Sequence, residues 1–281
     1  MTIDAHLEAQ YNARAAVPEH LDIQADWQRR SERARASLDC TLDLAYGDGE
    51  REKIDFFSAG AAGAPLHLYL HGGYWQRGDR SAYHFVAEGL CAHGVNVALA
   101  GYELCPAVTL NAIVAQTRAA LAWLWRNAQS LGFDRQRIQV CGHSAGGHLT
   151  AMLMATDWPR QDAALPAELI HSGIAISGLY DLEPLRSTSI NDAVAMDAAS
   201  AARNSPALLP GIGNAPLTAA VGGLESAEFH RQAERLARGW QGRAGGVQVL
   251  EVPATNHFTI VETLAREGLL LDRALALLEA S

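Results

Sequence analysis

Long apolar runs are missing from this 281-residue chain; no stretch reaches the ~18 consecutive apolar residues that a bilayer-spanning helix needs. Met1 to Tyr11 has no basic segment leading into an apolar one, so it does not read as a secretory leader, and a cytoplasmic location is expected. Positive charge is also in short supply. The formal net charge of -9 repels phosphate backbones and anionic lipid, which argues against nucleic acid and membrane surfaces as partners. Cysteine is sparse and scattered: Cys40, Cys91, Cys105 and Cys141 have no C-x-x-C spacing, so neither a zinc site nor a disulfide framework is expected. Histidine is plentiful, yet no H-E-x-x-H or His/carboxylate cluster occurs on one helix face, and no metal is expected. What the chain does have is apolar residues, 49% against 19% charged, enough for a large core.

That apolar material falls in a regular order. Short strand-like runs at Lys53–Phe57, Leu66–Leu70, Val95–Ala100, Arg137–Cys141, His171–Ser177, Pro216–Val221 and Val247–Val252 are separated by helical stretches. The helical stretches cover Ser81–His93, Thr109–Leu131 (with Thr109 as N-cap), Gly147–Thr156, Ser226–Trp240 and Thr259–Ala280. The alternation predicts an α/β fold, with a mostly parallel twisted sheet and helices on both faces, in one domain over residues 1–281. Residues 1–45 read as a helical N-terminal arm, broken at Val17-Pro18, with Gln28 to Arg35 as a solvated face. Residues 178–213, rich in Asp, Ser, Asn and Pro, read as a small cap-like excursion.

The chain is organised around Gly142-His143-Ser144-Ala145-Gly146, where a predicted strand turns into a predicted helix. This is the G-x-S-x-G pattern of a nucleophile elbow: glycines permit the sharp turn, the serine hydroxyl is displayed, and the helix start presents free N–H groups. A serine hydroxyl needs a base, itself oriented by a carboxylate. In the hydrolase order of serine, acid and histidine, His257 follows the last strand, and Glu225 in Gly222-Gly223-Leu224-Glu225 follows the one before. Asp181 and, further off, Glu228 are alternative acids. The oxyanion hole is expected from the N–H of Ala145 and from Gly72 and Gly73, in a His-Gly-Gly that directly follows a strand.

His71-Gly72-Gly73-Tyr74-Trp75 together with Gly142-His143-Ser144-Ala145-Gly146-Gly147-His148 resembles the α/β-hydrolase type of kynurenine formamidase, near the hormone-sensitive-lipase-like esterases. The similarity extends to Tyr11-Asn12, Val17-Pro18, Gly101-Tyr102, Cys105-Pro106 and Ser205-Pro206. It implies hydrolysis of N-formyl-L-kynurenine to L-kynurenine and formate without a cofactor, as a step of tryptophan breakdown. At the position of the family's usual aspartate this chain has glutamate. For such an aromatic formamide, Tyr74, Trp75 and Tyr102 are candidate substrate-binding walls, and Arg77, Arg186 and Glu103 candidate charge partners. Two other readings use the same residues: a carboxylesterase acting on short-chain or aryl esters, and an inactive hydrolase-fold binding protein. Homo-oligomerisation is left open by the sequence.

Overall fold

The computed structural model describes residues 3–280, so the first two residues of the arm and Ser281 lie outside the described residues. Eight strands form one sheet: β1 (Cys40–Ala45), β2 (Lys53–Phe57), β3 (Ala64–Leu70), β4 (Asn96–Ala100), β5 (Phe133–His143), β6 (Ser172–Ile176), β7 (Leu217–Gly222) and β8 (Val247–Val252). Their spatial order is β1-β2-β4-β3-β5-β6-β7-β8. The pairs β1/β2 and β2/β4 are antiparallel, and every pair from β4 to β8 is parallel. This is the α/β-hydrolase arrangement. It follows from strands apolar on both faces, which need a covering layer on each side.

The covering layers can be read residue by residue. Along β3, Leu66, Leu68 and Leu70 enter one core while Tyr69 enters the other; along β4, Ala98 and Ala100 oppose Val97 and Leu99. One core is closed by α5 (Leu110–Leu131), α6 (Ala145–Met154) and α10 (Ala227–Gly239), and the other by α4 (Ala87–Ala92) and α12 (Leu269–Glu279). The N-cap of α5 is Thr109, whose side chain accepts from Ala112 N–H, and α5 ends on Gly132 at φ 77°. The excursion carries α8 (Asn191–Val194) and α9 (Ala198–Arg203), and α7 (Trp158–Gln161) lies between α6 and β6.

Three expectations need correction. Residues 40–45 are not part of the arm but form the sheet-edge strand β1. The last helix is not continuous: α11 (Glu262–Ala265) and α12 are separated at Arg266–Gly268, where a Cβ on Gly268 would lie 3.0 Å from the Thr263 carbonyl oxygen. Finally, Gln28 to Arg35 is a solvated face only in part: Gln28, Arg29, Glu32 and Arg33 are exposed, whereas Arg30, Ser31 and Ala34 are buried.

The arm consists of α1 (Ala5–Tyr11), α2 (Ala13–Ala16) and α3 (His20–Ser37). Trp27 is 2% exposed and packs on Tyr83, Phe85 and Phe258. Arg30, fully buried, lies 4.7 Å over the Phe85 ring and reaches Glu88 at 3.3 Å, while Ser31 Oγ accepts from Phe85 N–H. An arginine stem packs like an apolar side chain, so a helix that looks polar in sequence is docked along one face. Deleting the Trp27 side chain should cost ~3–5 kcal/mol.

Candidate active site

β5 ends at His143, and α6 begins immediately after Ser144, which sits at φ 58°, ψ -117°. A non-glycine residue in this region is strained by about 1–3 kcal/mol and persists only where its surroundings fix it. Here they do. A Cβ on Gly142 would lie 2.3 Å from the Gly146 carbonyl oxygen, one on Gly146 would lie 2.0 Å from that of Leu70, and Ser144 N–H donates to Ile176 O at 2.8 Å. The close approach of β3, β5 and α6 thus forces the two glycines and lifts the serine above the strand ends.

The turns after β7 and β8 bring two side chains to that hydroxyl. His257 Nε2 lies 3.1 Å from Ser144 Oγ, and His257 Nδ1 lies 2.7 Å from Glu225 Oε2. The other carboxylate oxygen of Glu225 accepts from Gly222 N–H at 2.7 Å and from Ser177 Oγ. The alternative acids face elsewhere: Asp181 lies 3.8 Å from Arg231 and 3.7 Å from Arg235, and Glu228 pairs with Arg231 and accepts from the Tyr11 hydroxyl. The imidazole is also held from two further sides. His143 Nε2 donates to the His257 carbonyl at 2.7 Å, and the Phe229 ring centroid is 4.6 Å from that of His257. Burial, reinforced by the neighbouring His257, holds His143 well below the usual imidazole range, so it is a neutral donor.

The loop after β3 supplies the opposite side. Gly73, Tyr74 and Trp75 all have positive φ, at 126°, 51° and 59°. A Cβ on Gly73 would lie 2.1 Å from the Arg77 carbonyl oxygen, which explains the glycine. The two aromatics are anchored instead: Tyr74 Oη donates to Tyr11 O, Trp75 Nε1 donates to His148 Nδ1 at 3.2 Å, and Trp75 O accepts from Cys105 N–H at 2.8 Å. His148, which burial lowers to about 4, passes the restraint on to the excursion by donating from Nε2 to Asn204 O at 2.7 Å. Ala145 is the first residue of α6, so its N–H has no intrahelical partner.

Above Ser144 lies a cavity of about 520 Å³. Its floor includes Gly72, Gly73, Ser144 and His257, and Tyr74 lines it as expected. Trp75 and Tyr102 do not. Both are fully buried behind the loop, Trp75 on His148 and Tyr102 stacked at 4.3 Å on His71, whose carbonyl oxygen accepts from Tyr102 Oη. Consecutive residues of the loop point to opposite sides, so one faces the cavity and the next the core. Arg77 lines the cavity; Arg186 is paired with Glu183, and Glu103 accepts from Arg51 N–H at 2.9 Å. In the structure Tyr11, Arg14 and Trp27 form one cavity wall, with Tyr83 and Phe258 beside them. Also unforeseen were His143 and Ser177, whose only sequence signal was position at a strand end, and Phe229, in the first turn of α10.

Among the described residues no group of three or more His, Cys, Asp or Glu could hold a metal ion, and no helix is long and apolar enough to cross a membrane. All four cysteines are free thiols.

The BD-FAE family model matches residues 55–187. The kynurenine formamidase of Danio rerio is 33% identical over 252 residues, covering 87% of this chain and 84% of that protein; that of Salmo salar is 36% identical, covering 83% and 80%. The chain belongs to the kynurenine formamidase family. A solved structure from Silicibacter sp. tm1040, provisionally described as a thioesterase, superposes with a TM-score of 0.85 at 32% identity, covering 97% of this chain and 100% of that one. This kynurenine formamidase family member is therefore an α/β-hydrolase, and its likeness to the Silicibacter structure takes in the arm as well as the sheet.

Proposed function

We propose that the protein hydrolyses N-formyl-L-kynurenine to L-kynurenine and formate through a formyl-enzyme on Ser144, with His257 as general base and acid and Glu225 as the group that orients it. The observation that carries this reading is the unbroken contact from Glu225 through His257 to Ser144, at the floor of a cavity walled by aromatic side chains.

The steps follow from the geometry. Ser144 Oγ attacks the formyl carbon while His257 Nε2 takes its proton; the imidazolium so formed is stabilised by Glu225, whose second oxygen is fixed by Gly222 and Ser177. The oxyanion rests against the N–H groups of Gly73 and Ala145, with Gly72 N–H in the same turn. Each such donor is worth about 10²–10³ in kcat where it has been removed. Collapse breaks the C–N bond, and His257 returns the proton to the departing aryl amine. Water then attacks the formyl ester, gives its proton to His257, and formate leaves as Ser144 is reprotonated. A formyl group carries no acyl chain, so the space beside Ser144 need hold only a hydrogen, while the aryl ring packs between Tyr74, Trp27 and Phe258.

The test is a comparison of kcat/KM on N-formyl-L-kynurenine and on p-nitrophenyl acetate, with Ser144→Ala as the blank. The formamide is expected to win. An ester advantage of orders of magnitude would replace this reading with a carboxylesterase. Failure of a fluorophosphonate to label Ser144 would replace it with an inactive fold.

A further inference from the structure

The mouth of the cavity holds two arginines without counter-ions. Arg14, in α2, and Arg77, in the turn after β3, both line the cavity and are both exposed. Arginines nearby are paired: Arg51 with Asp79, Arg80 with Asp43 and Asp55, and Arg231 with Glu228. Among the described residues, Arg14 and Arg77 pair with no carboxylate. Both line the one cavity, near enough that, after burial, the charge of Arg77 lowers the pKa of the Arg14 guanidinium. The acid on the same wall, Glu8, is engaged by Ser189, accepting from its N–H at 2.8 Å and its Oγ at 2.7 Å. In a chain with an excess of acids, two cations left without counter-ions on the lining of one cavity mark a place for an anion from outside.

Their position says which part of a substrate that anion is. Arg77 N–H donates to Gly73 O at 3.2 Å, and Arg77 Cγ lies 3.0 Å from where a Cβ on Gly73 would sit. The Arg77 stem is thus packed on the turn that presents the oxyanion donors, with its charge carried outward to the rim. Arg14 reaches the same rim from the arm, two residues from Asn12, whose side chain caps α2 by accepting from Ala15 N–H at 3.1 Å. A molecule whose acyl group lies at Ser144 and whose far end lies at the rim therefore meets two guanidinium groups there.

We propose that Arg14 and Arg77 together bind a carboxylate at the end of the substrate remote from the scissile bond, so that the enzyme selects aryl amides and esters bearing an acid group. This rests on the reading of Ser144 as the nucleophile, but not on the formamide as its target.

The experiment uses two aryl acetates that differ only at the far end, 3-(4-acetoxyphenyl)propionate and 3-(4-acetoxyphenyl)propanamide, with the full-length chain. The wild type is expected to prefer the carboxylate by about tenfold or more in kcat/KM, as for charge-assisted hydrogen bonds. Arg77→Gln and Arg14→Gln should each lower that ratio through KM, the double variant should bring it near one, and Arg77→Lys should keep part of it. A wild-type ratio near one, or a ratio the double variant leaves intact, overturns the proposal. Absence of turnover on N-formyl-L-kynurenine with an arginine-dependent ratio would sink the formamidase reading and leave this one standing.

Discussion

The Tyr74 hydroxyl donates to the main-chain carbonyl of Tyr11, so the loop that carries Gly72 and Gly73 hangs from the arm that walls the cavity. Two consecutive left-handed residues, Tyr74 and Trp75, are held in place partly by this bond. Removing it should loosen both partners at once. Tyr74→Phe is expected to lower kcat about three- to tenfold, the equivalent of ~1 kcal/mol, and to speed proteolysis within residues 5–37. An unchanged kcat with an unchanged cleavage rate would show that the bond restrains neither.

Glu225 has both oxygens occupied, one by His257 and the other by Gly222 and Ser177. An amide cannot satisfy both sets, because its NH₂ must face a donor on one side or the other. Glu225→Gln should therefore reduce kcat about 10³–10⁴-fold with little effect on folding, as expected when the imidazole is held in the wrong tautomer. Glu225→Asp, one methylene short of spanning both contacts, should fall between Gln and the wild type. Steady-state kinetics across the pair decide it; equal activity of all three would remove Glu225 from the mechanism.

Steric and torsional demands for glycine can be separated in this chain. A Cβ at Gly146 would lie 2.0 Å from the Leu70 carbonyl oxygen, whereas at Gly132, with φ 77°, nothing lies within 4 Å. Gly146→Ala should cost at least ~3 kcal/mol by forcing α6 away from β3, and Gly132→Ala only ~1 kcal/mol of backbone strain. Urea denaturation of the two variants reads the difference. Equal midpoints would mean the elbow gives way easily.

Burial holds His67, His71 and His148 at about 4. The unfolded chain binds these protons near pH 6.5 while the folded chain does not, so stability is fully present above about pH 6.5 and is lost as pH falls toward 4. Depressed carboxylates such as Asp55 and Glu228 act in the same direction at lower pH. Thermal melts should be flat from pH 8 to 7 and then drop across pH 6.5–5, with a shallower drop in His67→Gln. A melting temperature constant down to pH 5 would contradict the burial of these rings as neutral groups.

The elbow and the sheet were legible because glycine spacing and apolar periodicity are local properties. Glu225 was readable as one of three acids only because topology puts it after β7; what separates it from Asp181 and Glu228 is which of them faces an arginine, and that is a long-range fact. β1 was illegible because it is an exposed edge strand whose register shifts between Thr41 and Leu44, around Asp43 at φ 60°. Arg30 hid the buried face of α3. Trp75 was misplaced because the left-handed turn at Tyr74 and Trp75 leaves no mark in residue type.

The arm contributes Tyr11, Arg14 and Trp27 to the cavity, while the reacting groups come from turns at the strand ends. Part of the cavity wall is thus carried by a piece of polypeptide separate from the turns that bear Ser144, Glu225 and His257. Exchanging the helices before residue 38 for those of another hydrolase would re-aim the enzyme at a different leaving group while its serine, imidazole and glutamate stayed where they are.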